Sequence, residues 1–270
     1  MIHEATRDDL PRIAALFAKA NDAPYDLQRV ASEKCFGPGV SSPAEVRVYG
    51  DFAGVSVTCG KALRILVVDR EQRRRGIGNA LLRDAESRGA RIVAAEAGNY
   101  FTPGVALSDS TSIEFFRHRQ YREIARTQNL VTTNLPADFP PEIPRATDAN
   151  RERVLAFIEK QFGRIWRFEA SNAGENLFYA EVDGEVAGFA AHDGNNRGLG
   201  FFGPTGVARE HRGRGLGARL LQASLADLRR LGHERVVIPW TDAIDFYRKA
   251  CGATVAEQFV TLARVIDSAS

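Results

Sequence analysis

The chain has 270 residues, 44% of them hydrophobic, which exceeds one average domain and suffices for two modest cores. Its 36 Lys and Arg against 34 Asp and Glu leave a net charge of +2, too small to select a nucleic acid or a membrane surface by bulk charge. Cys35, Cys59 and Cys251 are odd in number and lack any paired Cys/His spacing, and no stretch approaches the roughly 18 apolar residues of a membrane span, so a soluble chain without disulfides or metal in a reducing cytoplasm is expected.

The elements begin with a strand at Ile2-x-x-Ala5-Thr6 and a helix whose Leu10, Ile13, Leu16 and Phe17 recur at helical spacing behind Asp8 or Asp9 as cap. Strands follow through Ala53-Gly54 and end at Val68, and Arg73-Arg74-Arg75-Gly76-Ile77-Gly78 then opens a helix carrying Leu81 and Leu82. A further helix runs through Ile113-Glu114-Phe115-Phe116-Arg117. Pro136, Pro140, Pro141 and Pro144 crowd nine residues into a stiff linker that admits neither helix nor inner strand.

The same order then returns. Ile143-x-x-Ala146-Thr147 matches the first strand, and Val154, Phe157 and Ile158 match the first helix. Phe178 to Val182, the turn Asp183-Gly184 and Val186 to Ala190 read as a hairpin, and a fourth strand ends at Val207. Arg212-Gly213-Arg214-Gly215-Leu216-Gly217 repeats the earlier segment at an offset of 139, which also maps Val68 onto Val207 and Leu81-Leu82 onto Leu220-Leu221. Its helix stops at Gly232, and a strand, Arg235 to Ile238, and a helix, Ala243 to Lys249, follow. These landmarks predict domains over residues 1–134 and 142–267, with a linker at 135–141, each a mixed α/β sheet with a crossover unit behind an antiparallel hairpin.

In each copy a strand runs into a basic, glycine-bearing turn that opens a helix, so unpaired backbone N–H groups converge where an anion can sit. Gly215 and Gly217 allow close backbone approach, and Arg212 and Arg214 add charge-assisted hydrogen bonds, an arrangement suited to pyrophosphate. A dinucleotide fingerprint is disfavoured because about 65 residues of other structure precede the loop in both copies. The run Arg73-Arg74-Arg75 sits at a helix entry and repeats as Arg212 and Arg214, which reads as a phosphate grip and not as a solvated patch.

With this loop, and with Ala243-Ile244-Asp245-Phe246-Tyr247-Arg248-Lys249 after the next strand, the sequence resembles the GNAT acetyltransferase superfamily, written twice in tandem. The resemblance implies two domains in which antiparallel strands lead to a parallel pair splayed around a CoA-binding loop and helix. Acetyl-CoA is the implied acetyl donor, bound through Val207, Arg212, Gly213, Arg214, Gly215, Leu216, Gly217 and Ala218. A second set occupies the first copy at Val68, Arg73, Arg74, Arg75, Gly76, Ile77, Gly78 and Asn79. Tyr247 stands where the family places a tyrosine that protonates the departing thiolate, whereas Phe116 holds that place in the first copy, which is therefore expected to be degenerate in catalysis.

The implied reaction is direct attack of an amine on acetyl-CoA in the C-terminal domain, since none of the cysteines has a visible base partner for an acyl-enzyme relay. Glu181, His192, Glu210 and Asp242 are candidate proton acceptors, each with a solvated or structural role as the alternative. The asparagine common seven residues before the tyrosine is replaced by Trp240, and by Asp109 in the first copy. The glycine-rich stretch His192 to Gly206 and the loop Cys35 to Pro43 are candidate acceptor loops. A non-catalytic acyl-CoA sensor and transfer of a longer acyl chain are the competing readings.

Overall fold

A computed structural model describes residues 1–20, 26–40 and 42–265, so Ser41 of the expected loop and the last two residues of the expected second domain lie outside it. The chain forms two compact units, one of residues 1–127 together with the chain end from Phe259, the other of Gln128–Gln258.

In the N-terminal unit β1 (Ile2–Glu4), β2 (Glu45–Tyr49), β3 (Gly54–Cys59) and β4 (Ala62–Val68) form an antiparallel meander. Two helices, α1 (Leu10–Ala20) and α2 (Leu27–Phe36), intervene between β1 and β2. The expected apolar stripe of α1 is real: Ile13, Leu16 and Phe17 are buried. The Thr6 N–H donates to the Asp9 carboxylate at 2.9 Å, so Asp9 is the acid that tethers the helix entry. After α3 (Ile77–Ser87), β5 (Ile92–Val93) lies parallel to β4, and β6 (Val105–Ala106), α4 (Ser110–Arg117) and β7 (Tyr121–Thr132) follow.

The C-terminal unit repeats the plan. Helices α5 (Arg151–Phe162) and α6 (Arg164–Asn172) precede an antiparallel sheet of β8 (Leu177–Val182), β9 (Glu185–His192) and β10 (Phe202–Val207). Then come α7 (Leu216–Arg230), β11 (Val236–Ile238) and α8 (Ile244–Cys251), and a parallel bridge from Phe201 to Val237 links the start of β10 to β11. The last strand is β12 (Thr254–Arg264).

Two features depart from the expected domain bounds. The strand beside β5 is the end of β12, with Leu262 opposite Val93 and Ala263 opposite Ile92, so the strand that follows the second copy finishes the sheet of the first. The strand beside β11 is the end of β7, with Leu130, Val131 and Thr132 opposite Ile238, Val237 and Val236. The division therefore falls after Thr127 and again before Phe259, not at 135–141. The proline-rich stretch is no free linker: Leu135 and Ile143 join the core of Leu225, Leu228 and Val236, and Arg229 Nη1 donates to the Leu135 carbonyl at 2.8 Å.

Candidate functional site

The two glycine loops are built alike. Arg73 Nε donates to the carbonyl of Val68 at 3.3 Å, and Arg212 Nε to that of Val207 at 3.2 Å, so each arginine turns back over the end of its strand. Left-handed backbone occurs at Arg74 (φ 65°) and at Gly213 (φ 79°), then at Gly76 (φ 83°) and Gly215 (φ 79°), the residues that cap α3 and α7. The first helical amides to bond back are Ala80, to the Gly76 carbonyl at 3.0 Å, and Arg219, to that of Gly215 at 3.2 Å. The N–H groups of Ile77, Gly78 and Asn79, and of Leu216, Gly217 and Ala218, thus carry the positive end of each helix. Arg75 and Arg214 are exposed beside them, and in the first copy Arg119 donates to Asn79 Oδ1 at 3.0 Å while stacking on Phe115.

Glycines also seat these helices on their sheets. A Cβ at Gly54 would meet Leu81 at 2.9 Å and Ile77 at 3.0 Å, and one at Gly188 would meet Leu220 and Val207 at 3.1 Å. The strand before each loop is interrupted by a bulge. In β4 the register with β3 shifts at Arg64, and in β10 the register with β9 shifts across Gly203 and Pro204, the position 139 residues on. β4 pairs with β5 only at Ala62 and Leu63, after which the chain leaves β5 through left-handed Ala94 and Ala95. A slot therefore opens along the rest of β4. It widens into a cavity of about 1290 Å³ whose lining includes Arg73, Arg74, Gly78, Val68, Phe116 and Leu63.

Tyr247, on α8, lies where the second copy opens in the same way. Its ring meets Phe202 edge-on at 6.2 Å, next to the β10 bulge, and Phe246 at 4.9 Å, while Phe246 lies against Gly217 of the loop helix. Burial pushes the phenol well above its ordinary range, so it stays protonated and can donate a hydrogen bond. Phe116 holds the same station on α4, packed on Phe115 and Tyr121 with no hydroxyl to offer.

The candidate bases separate. His192 is buried against α7: its Nε2 lies 2.9 Å from Asp227, which also takes hydrogen bonds from Arg145 at 2.6 Å and Arg230 at 2.8 Å. Burial lowers the His192 pKa, but hydrogen bonds and charge from Asp193 and Asp227 outweigh it and the net shift is upward. It pins α7 to the sheet. Glu181 pairs with Arg153, and Glu210 and Asp242 are exposed. Trp240, left-handed at φ 47°, is fixed at the end of β11, where its N–H donates to Asn129 Oδ1 at 3.0 Å. The loop from His192 toward Gly206 is folded tightly, with Asp193 accepting from the Gly198 N–H at 2.8 Å.

The cysteines are buried free thiols: burial raises Cys35 to about 12 and Cys59 to about 11, and Cys251 donates to the Tyr247 carbonyl at 3.2 Å. Among the described residues no group of three or more His, Cys, Asp or Glu could hold a metal, and no helix is long and apolar enough to cross a membrane. The bulge partners Arg64 and Gly203 and the ring of Phe202 carried no shared motif, although Pro204 inside a strand pattern is a signal of broken pairing.

Comparison with known proteins agrees with this fold. The acetyltransferase (GNAT) family matches residues 141–253. A glucosamine N-acetyltransferase region of a fungal multi-domain β-N-acetylglucosaminidase superposes at TM-score 0.76 and 17% identity over 97% of this chain and 38% of that one, so this chain spans well under half of that protein. A GCN5-related N-acetyltransferase from Sphaerobacter thermophilus (TM-score 0.69, 19% identity) covers 97% of this chain and 94% of its own. A tandem GNAT protein from the clavulanic acid biosynthesis pathway (TM-score 0.65, 19% identity) covers 97% of both. No curated protein sequence matches significantly. Residues 141–253 thus match the GNAT family, and the chain as a whole shares the fold of tandem GNAT structures.

Proposed function

We propose that the C-terminal domain transfers an acetyl group from acetyl-CoA to an amine of a small molecule or peptide by direct attack. The observation that supports this best is Tyr247, a buried and protonated phenol beside the β10 bulge and one ring away from the loop helix. The loop from Val207 to Ala218 holds the pyrophosphate through backbone N–H groups and Arg212 and Arg214. The amine nitrogen bonds to the thioester carbonyl carbon, the C–S bond breaks, and the sulfur leaves as CoA thiol, with Tyr247 hydrogen-bonded to the developing thiolate. The proton shed by the amine passes to water, because the structure leaves His192 and Glu181 committed to other partners. No acyl-cysteine forms, since the buried thiols are held protonated.

In the N-terminal domain the second loop grips the same cofactor, and Phe116 leaves that domain to bind and not to turn over. The open cleft beside its loop favours this reading. Acetyl-CoA and the amine are the partners, without metal or nucleic acid, in the cytoplasm.

The test is CoA-thiol release across an amine panel that includes glucosamine, the substrate class named for the similar fungal region. Tyr247→Phe should lose roughly 10²–10⁴ in turnover at unchanged acetyl-CoA affinity. Gly215→Val should weaken binding at one of two sites, because a β-branched residue is strained at φ 79° and crowds the anion's approach. Unaltered turnover in Tyr247→Phe would sink the assigned role, and absence of turnover with every amine would leave the chain an acyl-CoA sensor.

A further inference from the structure

Tyr247 is carried by α8, a helix of eight residues whose first cap, Ala243, has no polar side chain to bond the helix amides. The chain leading into it is strained. Pro239 has no N–H to offer the ladder between β11 and β7, and Trp240 follows in left-handed backbone at φ 47°. A tryptophan keeps that conformation only where its surroundings hold it.

The end of β7 supplies the hold. Leu130 stands opposite Ile238, so Asn129 and Gln128 are the next residues of β7 where β11 gives out. Asn129, 7% exposed, accepts the Trp240 N–H on Oδ1 at 3.0 Å. Gln128 grips both sides of Thr241: its Nε2 donates to the Thr241 carbonyl at 2.6 Å, and its own carbonyl accepts the Thr241 N–H at 3.3 Å. Thr241 Oγ1 in turn accepts the Ala243 N–H at 3.1 Å, at the entry of α8.

The same strand holds the far end of the helix. Thr132, buried, donates from Oγ1 to the Cys251 carbonyl at 2.7 Å, and Cys251 Sγ donates to the Tyr247 carbonyl at 3.2 Å. Gln128, Leu130 and Thr132 lie on one face of β7, as alternation requires, and the fully buried Leu130 shares a core with Tyr247 and Cys251. The three side-chain bonds join residues 111 to 119 positions apart, so the placing of α8 is not a local matter.

We propose that Gln128, Asn129 and Thr132 are positioning residues for acetyl transfer: β7 holds α8 at both ends and so fixes the Tyr247 hydroxyl against the thioester sulfur. This rests on the reading of Tyr247 as donor to the leaving thiolate. The copy that lacks the phenol thus supplies, through the strand that ends it, the frame for the phenol of the other. A misplacement of about 1 Å costs on the order of 100-fold in rate, so loss of one grip should lower turnover about ten- to 100-fold at unchanged acetyl-CoA KM.

Fluorine NMR of the full chain carrying fluorotyrosine reads the frame without any acceptor. The Tyr247 resonance, one of six, is identified by its absence in Tyr247→Phe. Asn129→Ala and the near-isosteric Thr132→Val should each shift or broaden it, and Thr132→Ser, which keeps the hydroxyl, should restore it. Urea midpoints on the same samples separate this from loss of folding, and Gln128→Met, at a half-buried position, releases Thr241 should Asn129→Ala not fold. With an amine that is turned over, Asn129→Ala should lower turnover in the otherwise unchanged protein and add little in the Tyr247→Phe background, since it acts through the lost hydroxyl. A Tyr247 resonance untouched by every variant would overturn the proposal. Equal losses from Asn129→Ala with and without the Tyr247 hydroxyl would also overturn it, leaving the bonds to serve stability alone. A resonance that moves as expected while Tyr247→Phe turns over normally would uphold the hold on α8 but sink the chemical role of Tyr247, and the catalytic part of the proposal with it.

Discussion

Arg64 and His192 are both buried ionisable groups at strand positions, and each is tolerable only through its partners. Arg64 is held by Glu96 and two carbonyls, so Arg64→Met strands a buried carboxylate and should cost about 3–5 kcal/mol. Urea midpoints would show this, and pairing the change with Glu96→Leu should recover much of the loss; a full loss in the double variant would show that Arg64 contributes by packing instead. His192 works in the opposite pH direction from a carboxylate. Because its net pKa is raised on folding, its contribution is present in full below its unfolded pKa and fades as pH rises through the folded one. The stability difference between the protein and His192→Gln should therefore shrink from pH 5.5 to pH 8.5, roughly the span over which histidine titrates; a gap that widens would show the ring is buried neutral. The helix that carries Tyr247 was legible in the sequence, and the tyrosine's role was implied there only by the resemblance; the pairing of His192 was not legible, since its partner Asp227 lies 35 residues away on another element.

At the scale of elements, each glycine loop depends on how closely its helix settles on the sheet, and a glycine on the neighbouring strand sets that distance. Gly188→Val should push α7 away from β9, at a cost of about 1–3 kcal/mol for overpacking. It should also weaken acetyl-CoA binding, because the amides of Leu216 to Ala218 move with the helix. Thermal midpoint and acetyl-CoA titration on the same sample check this; a lower midpoint with unchanged affinity would mean the loop is held by Arg212 and not by the helix. The loops themselves could be read from residues 73–78 and 212–217, since glycines at left-handed positions beside arginines leave a local signature. The bulges could not: Arg64 and Gly203 share a place in the ladder but no chemistry, and a register shift is a property of two strands together.

For the molecule as a whole, the repeat was visible as a segment recurring at an offset of 139 with the other landmarks in the same order, whereas the exchange of closing strands was not. A strand's alternation tells which face is buried and is silent on which sheet edge receives it, so β7 and β12 read equally well as the last strands of their own copies. The exchange has a direct consequence for cutting the chain. Residues 1–134 lack Phe259, Val260 and Leu262, all at 0% exposure in the N-terminal unit, and leave β5 without its antiparallel neighbour and β6 without its partner. At about 1.5–3 kcal/mol for each buried side chain, the loss is comparable to the whole margin of a domain, about 5–15 kcal/mol. Residues 135–270 likewise lose Leu130 from the core of the C-terminal unit and the strand beside β11. Neither fragment should give the dispersed amide spectrum of a folded domain. The rescue is specific: residues 1–134 with Thr254 to Arg264 appended through a flexible glycine-serine tether should regain dispersion, because the tether costs only loop-closure entropy while the strand restores both pairing and core. A well-dispersed spectrum from residues 1–134 alone would show that β5 can close the sheet unaided, and a tethered form that stays unfolded would show that more of the second copy than its last strand is needed.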